Sequence, residues 1–149
     1  MVRTYSDNKY IYSVDMMFAY VYYHKKNISK IKVMDLIYQL NYECWGIPEK
    51  GINYSPMTVI KNPGKYPKEH MRIENAKLSF PIMMSYDGNI VDGMHRLSKA
   101  YLGHKKNIKS YIFDKNIMKK FIIGRKGDYE NIDKLETYDY IKLYVDRFT

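Results

Sequence analysis

Asp92-Gly93-Met94-His95-Arg96 puts a carboxylate, a glycine, an imidazole and a guanidinium within five consecutive residues. That set can hold an anion and move a proton. A guanidinium grips phosphate oxygens with two parallel hydrogen bonds, an imidazole changes protonation state near neutral pH, and a carboxylate serves as general base or Mg²⁺ contact.

The pattern around these residues says what must position them. Residues 85–104 read as a strand, a tight turn at Asp87-Gly88, a second strand and a helix, because Asp-Gly between apolar runs supplies the positive φ a hairpin turn needs. Met94, Leu97, Ala100 and Tyr101 then share one helical face, and Gly103 is the expected stop. Asp92 is the expected N-cap. His95 and Arg96 fall in the first turn, where the helix end is already positive. Cations there do not help the helix, but they help it hold an anion. Gly93, lacking a Cβ, leaves the backbone N–H groups open to close approach. The expectation is a phosphate or nucleotide cradle at this helix start; the competing reading is a capped core helix with a solvated Arg.

The same residues, Ile90-Val91-Asp92-Gly93-Met94-His95-Arg96-Leu97 followed by Lys99-Ala100 and Leu102-Gly103, resemble the signature segment of the ParB/sulfiredoxin superfamily. Ile31-Lys32-Val33-Met34-Asp35-Leu36 is similar to that family's opening strand and corner. Asn62-Pro63 and then Ala76-Lys77-Leu78-Ser79-Phe80-Pro81-Ile82 resemble the lead into its central hairpin. The resemblance spans residues 31–114 and is most specific at Asp92 to Arg96. It implies a small α/β (α+β) domain, a mixed sheet with flanking helices, whose helix N-terminus holds nucleotide phosphates. The branches of the family bind and hydrolyse CTP, reduce sulfinates with ATP, or phosphorylate free serine. The sulfinate-reducing branch has its catalytic Cys between the Gly and the His, where this chain has Met94; a thioether cannot be that nucleophile. The Asp-Gly-x-His-Arg form is closer to the kinase branch. By resemblance, Asp92 and His95 are the candidate catalytic residues, and Gly93, Met94, His95, Arg96, His70, Arg72 and Lys61 the candidate phosphate or nucleotide contacts. The implied cofactor is a nucleotide (ATP, ADP or CTP), with Mg²⁺ held through its phosphates and Asp92 or Asp35 as a contact. The implied enzyme is a nucleotide-dependent phosphotransferase or nucleotide hydrolase.

The chain of 149 residues carries 25 Lys and Arg against 16 Asp and Glu, a formal charge of +9. Such a balance draws nucleotides, nucleic acids or anionic surfaces, yet the cations are scattered and no run of five or six occurs. The alternative function is therefore a non-enzymatic DNA- or RNA-binding module, or a ParB-like nuclease relative, working through the basic surface. One Cys, Cys44, excludes an internal disulfide framework and suits an intracellular, cytoplasmic protein, with a nuclear location left open. Neither a leader nor a membrane span is expected, since the early apolar run at 16–23 is far below the ~20 residues a span needs. A homodimer is left open.

Three segments are expected: an N-terminal helical extension (1–30), the family-like core (31–123) and a C-terminal helical extension (124–149), together one domain. Residues 1–12 read as an arm or short strand, and Ser13 caps a helix to about residue 26. The alternating Lys30-Ile31-Lys32-Val33 reads as a strand and leads to Asp35 capping a helix over 36–44, with Cys44 buried beside Trp45. Residues 46–53 read as a loop, 54–61 as a strand on the strength of Thr58, Val59 and Ile60, and 67–75 as a helix begun by Pro67. A strand at 108–113, a helix to about 122, a connector at 124–128 and a last helix bearing Leu135, Tyr138, Ile141 and Tyr144 complete the chain. Most of the 17 tyrosines are expected in the core. The four histidines show no spacing suited to a metal, and no metal site is expected. Ser98 is a further weak phosphate contact.

Overall fold

Short-range signals start most of the helices. Ser13 Oγ accepts the Met16 N–H at 3.2 Å, Ser55 Oγ accepts that of Thr58 at 3.1 Å, and Asp114 Oδ1 accepts that of Ile117 at 2.8 Å. Pro56 and Pro67 occupy first-turn positions, where a missing N–H costs nothing. The computed structural model describes residues 3–149, so the first two residues of the expected arm lie outside it. In chain order the elements are β1 (Thr4–Ser6), β2 (Tyr10–Ser13), α1 (Val14–Tyr23), β3 (Ser29–Lys32), β4 (Trp45–Ile47), β5 (Ile52–Tyr54), α2 (Pro56–Lys61) and α3 (Pro67–Asn75). There follow β6 (Ile82–Met84), β7 (Ile90–Asp92), α4 (Met94–Leu102), β8 (Asn107–Ile112), α5 (Lys115–Lys119), β9 (Ile122–Arg125), α6 (Tyr129–Asp133) and α7 (Thr137–Phe148). The fold is mixed α+β, as expected.

The chain forms two compact units. The first takes residues 3–27, 84–92 and 112–149. Its antiparallel sheet has the order β1-β2-β9, with Thr4 opposite Ser13 and Tyr10 opposite Arg125, and a bulge between Ile11 and Tyr12. α1 buries Met16, Met17 and Val21, and Tyr20 meets Phe113 and Phe121 edge-on, the geometry aromatic quadrupoles favour. α7 begins with a capping box between Glu136 and Asp139. The Asp87-Gly88 turn forms as expected: Ser85 N–H donates to Asn89 O at 2.9 Å, and Gly88 has φ +90°.

The second unit takes residues 28–83 and 93–111. β3 runs antiparallel to β8, from Ser29 opposite Ser110 to Lys32 opposite Asn107, and β6 lies on the other side of β8. α4 packs against α2 and α3 over a core that includes Leu40, Val59, Ile73, Ile82 and Leu97. Lys99 Nζ donates to Glu74 O and Ala76 O, both at 2.7 Å, at the negative end of α3.

Several expectations are corrected. The strand expected at 54–61 is α2: a Ser cap and first-turn Pro outweigh the weak extended preference of Thr58-Val59-Ile60. The loop expected at 46–53 is the β4–β5 hairpin, its register Trp45 to Tyr54. Gly46 is required there because a Cβ would lie 2.2 Å from Ile52 O. Asp35 caps nothing; residues 33–35 and 37–41 form two 3₁₀ turns, and Cys44 is exposed in the chain that follows rather than buried on a helix. Ile122, Gly124 and Arg125 extend as β9. Leu135 precedes α7. Gly103 stops α4 as its C-cap, as expected, with His104 next to it in the left-handed region (φ +54°). Tyrosines are less buried than expected: Tyr12, Tyr111 and Tyr140 are interior, while Tyr22, Tyr23, Tyr38, Tyr86 and Tyr138 are more than half exposed. Among the described residues no helix is long and apolar enough to cross a membrane.

Candidate functional site

Gly93, Met94, His95 and Arg96 lie together at the start of α4. The N-cap of this helix is Gly93, at φ +123°, and no side chain caps it. Asp92, the expected cap, is the last residue of β7 and belongs to the first unit. The reason for glycine also differs from the one expected. A Cβ at position 93 would lie 2.6 Å from Ile82 Cγ2 and 3.0 Å from Arg96 Nη2. Both the positive φ and the Ile82 side chain demand glycine, independently of any ligand.

Arg96 folds back toward the start of its own helix, half-buried, with its guanidinium carbon 5.2 Å from the centre of the Phe80 ring. The ring holds the cation by its face. A positive side chain is thereby placed at a helix end that is itself positive.

His95 points to a different partner. Its Nε2 lies 2.7 Å from Glu69 Oε2, and its ring stacks on the Trp45 indole, with centroids 4.3 Å apart and planes 19° from parallel. Glu69 comes from α3 with its side chain only 12% exposed, and its second oxygen accepts Arg72 Nη1 at 3.2 Å. A buried carboxylate needs such partners to offset its lost hydration. Because a carboxylate oxygen accepts, Nε2 carries the proton of this hydrogen bond. Beside this pair, Tyr54 and Tyr66 (ring centroids 4.6 Å apart), Pro67, Lys68, Glu69 and Arg72 line an open cleft of about 330 Å³.

Other candidates fall elsewhere. His70 Nε2 donates to Val59 O at 2.8 Å, tying α3 to α2. Lys61 is exposed at the last residue of α2. Met94 is the first residue of α4 and is half-buried; Ser98 Oγ turns back to donate to its carbonyl at 2.8 Å and is fully buried. Asp35 is exposed in the 3₁₀ turn of the strand-to-helix corner. Among the described residues no group of three or more His, Cys, Asp or Glu is placed to hold a metal ion. The Cys44 thiol is pushed up to about 11, by desolvation first, with the Glu69 carboxylate adding to it, so it is protonated at neutral pH.

Glu69 and Trp45 are the residues that sequence reasoning missed. Glu69 reads locally as an acidic residue in a helix first turn, which needs no further explanation. Nothing in the spacing links it to His95, 26 positions on. No family model matches the chain, and no curated protein or solved structure matches it significantly.

Proposed function

We propose that the chain is a nucleotide-binding protein of ParB/sulfiredoxin type that hydrolyses or transfers a nucleotide phosphate at the start of α4. The observation that carries this reading is the juxtaposition in consecutive residues of two distinct devices. Arg96 brings a cation to a helix start that no side chain caps, and the His95 ring is held by the buried Glu69 carboxylate. In this reading the first-turn N–H groups and Arg96 hold the phosphates. His95 Nδ1 takes the proton from water or an acceptor hydroxyl. The freed oxygen bonds to the terminal phosphorus as the bridging P–O bond breaks, and the shortened nucleotide leaves with the electron pair. Glu69 holds the imidazole in place and balances the imidazolium that forms.

A thermal-shift screen against ATP, ADP, CTP and GTP, each with and without Mg²⁺, tests the reading. A ligand at 100 times its Kd adds about 2.7 kcal/mol of stability, so one nucleotide at millimolar concentration raises the melting temperature by several degrees. No shift with any of the four contradicts the proposal.

A further inference from the structure

A second charged feature, in the first unit, shares no residue with the start of α4. Lys9, Tyr10, Tyr86, Lys115 and Lys119 border a cleft of about 360 Å³, with Asp7 and Tyr12 also in its lining. Two more cations extend it. Arg125 pairs directly with Tyr10 across the β2–β9 ladder, and directly opposed residues project to the same face. Lys126 N–H donates to Lys9 O at 2.9 Å, fixing residue 126 beside residue 9. None of these five cations is bridged to a carboxylate among the described residues.

Stability of the fold does not explain this arrangement. Lys115 and Lys119 are four apart on α5, a spacing at which like charges repel and weaken the helix. The carboxylates nearby are committed elsewhere. Asp7 accepts from Lys9 N–H, Tyr10 N–H and Tyr12 Oη; burial works against its ionisation, but those bonds win and hold its carboxyl below the usual range. Asp87 is bound into the Ser85–Asn89 turn, and Asp114 caps α5. Asp7, Asp87 and Asp114 are thus held by local hydrogen bonds. Tyr10 and Tyr86 keep 37% and 54% of their surface exposed at the rim.

We propose that this face binds single-stranded nucleic acid. Lysines and Arg125 follow the backbone phosphates, and the two open tyrosine rings stack on unpaired bases. A duplex hides its base faces from such rings, and an acidic peptide would have no use for them.

The test is fluorescence anisotropy of the full chain with a labelled ten-residue oligothymidylate from about 20 to 200 mM NaCl. Three to five phosphate contacts at about 0.7 each predict a log–log salt slope of about −2 to −3.5. Lys115→Ala with Lys119→Ala lowers affinity about 10-fold and flattens the slope by about 1.4. Tyr86→Ala lowers affinity about 10-fold with the slope unchanged. Lys30→Ala with Lys32→Ala, an equal loss of exposed charge in the other unit, changes affinity less than about 2-fold. Arg96→Ala leaves binding intact, which separates this surface from the nucleotide reading. No binding at the lowest salt, an equal loss in the Lys30/Lys32 variant, or equal affinity for a duplex of the same length or for poly-glutamate overturns the proposal.

Discussion

α1 and α4 are both central helices, one in each unit, and they begin in opposite ways. α1 starts from Ser13, whose hydroxyl takes the Met16 N–H, and its first turn carries Asp15, paired with Arg3 at 2.9 Å. The Ser13 hydroxyl and the Asp15 carboxylate both suit the helix end. α4 starts from a glycine with no capping side chain and carries His95 and Arg96 in its first turn. The contrast separates a start capped by a side chain from one that no side chain caps. It also shows that Gly93 is no part of the evidence for a ligand, since Ile82 and the backbone already require it.

The sharpest way to break the comparison is at that glycine. Gly93→Ala must place a Cβ within 2.6 Å of Ile82 at φ +123°. Backbone strain and overpacking together cost about 3 kcal/mol, a fall of roughly 9 °C in melting temperature for a chain of this size. A calorimetric double-mutant cycle with Ile82→Ala should recover more than about 1 kcal/mol of that loss; strict additivity would mean that the close approach is not the cause.

Charge behind the start of α4 is read through Cys44. Its thiol stands at about 11 against an ordinary 9.0. Because the shift is upward, the reactive thiolate is scarce at pH 8 and grows as pH rises toward 11. Alkylation by iodoacetamide at pH 8 should run about 10-fold slower than for a free cysteine, the scarcity of thiolate being partly offset by its greater nucleophilicity. Glu69→Gln should speed it by removing the negative charge that adds to the shift. An unchanged rate in that variant would place Glu69 too far away to act on this neighbourhood.

The mildest expectation concerns α1. Ser13→Ala should cost about 1 kcal/mol by chemical denaturation and leave nucleotide binding untouched. A loss of nucleotide affinity there would erase the distinction between the two helix starts.

The sequence made some of this legible and hid the rest for physical reasons. Ser13, Asp87-Gly88 and Pro67 act through bonds and dihedral limits within a few residues, and the cap, the turn and α3 (Pro67–Asn75) formed where the pattern placed them. At 54–61 two local signals competed: three β-branched residues suggested a strand, and the Ser55-Pro56 start decided for a helix. The β4–β5 hairpin and β9 are short pairings whose partners lie along or across the chain, so composition alone read them as loop or helix. In the candidate site, the motif at 93–96 was visible because its residues are consecutive. Glu69 and Trp45 were not, because only the packing of α3 and the β4–β5 hairpin brings them to His95. His70 was a candidate on α3, yet its ring is spent on Val59 O.

The most direct measurement of the central claim is isothermal calorimetry of the nucleotide identified by the thermal screen, on the wild-type chain and on Arg96→Ala. The account predicts saturable binding to the wild type and a loss of at least about 100-fold in the variant, as expected when a charge-assisted phosphate contact is removed from a helix start. Equal affinity in the two proteins would contradict it.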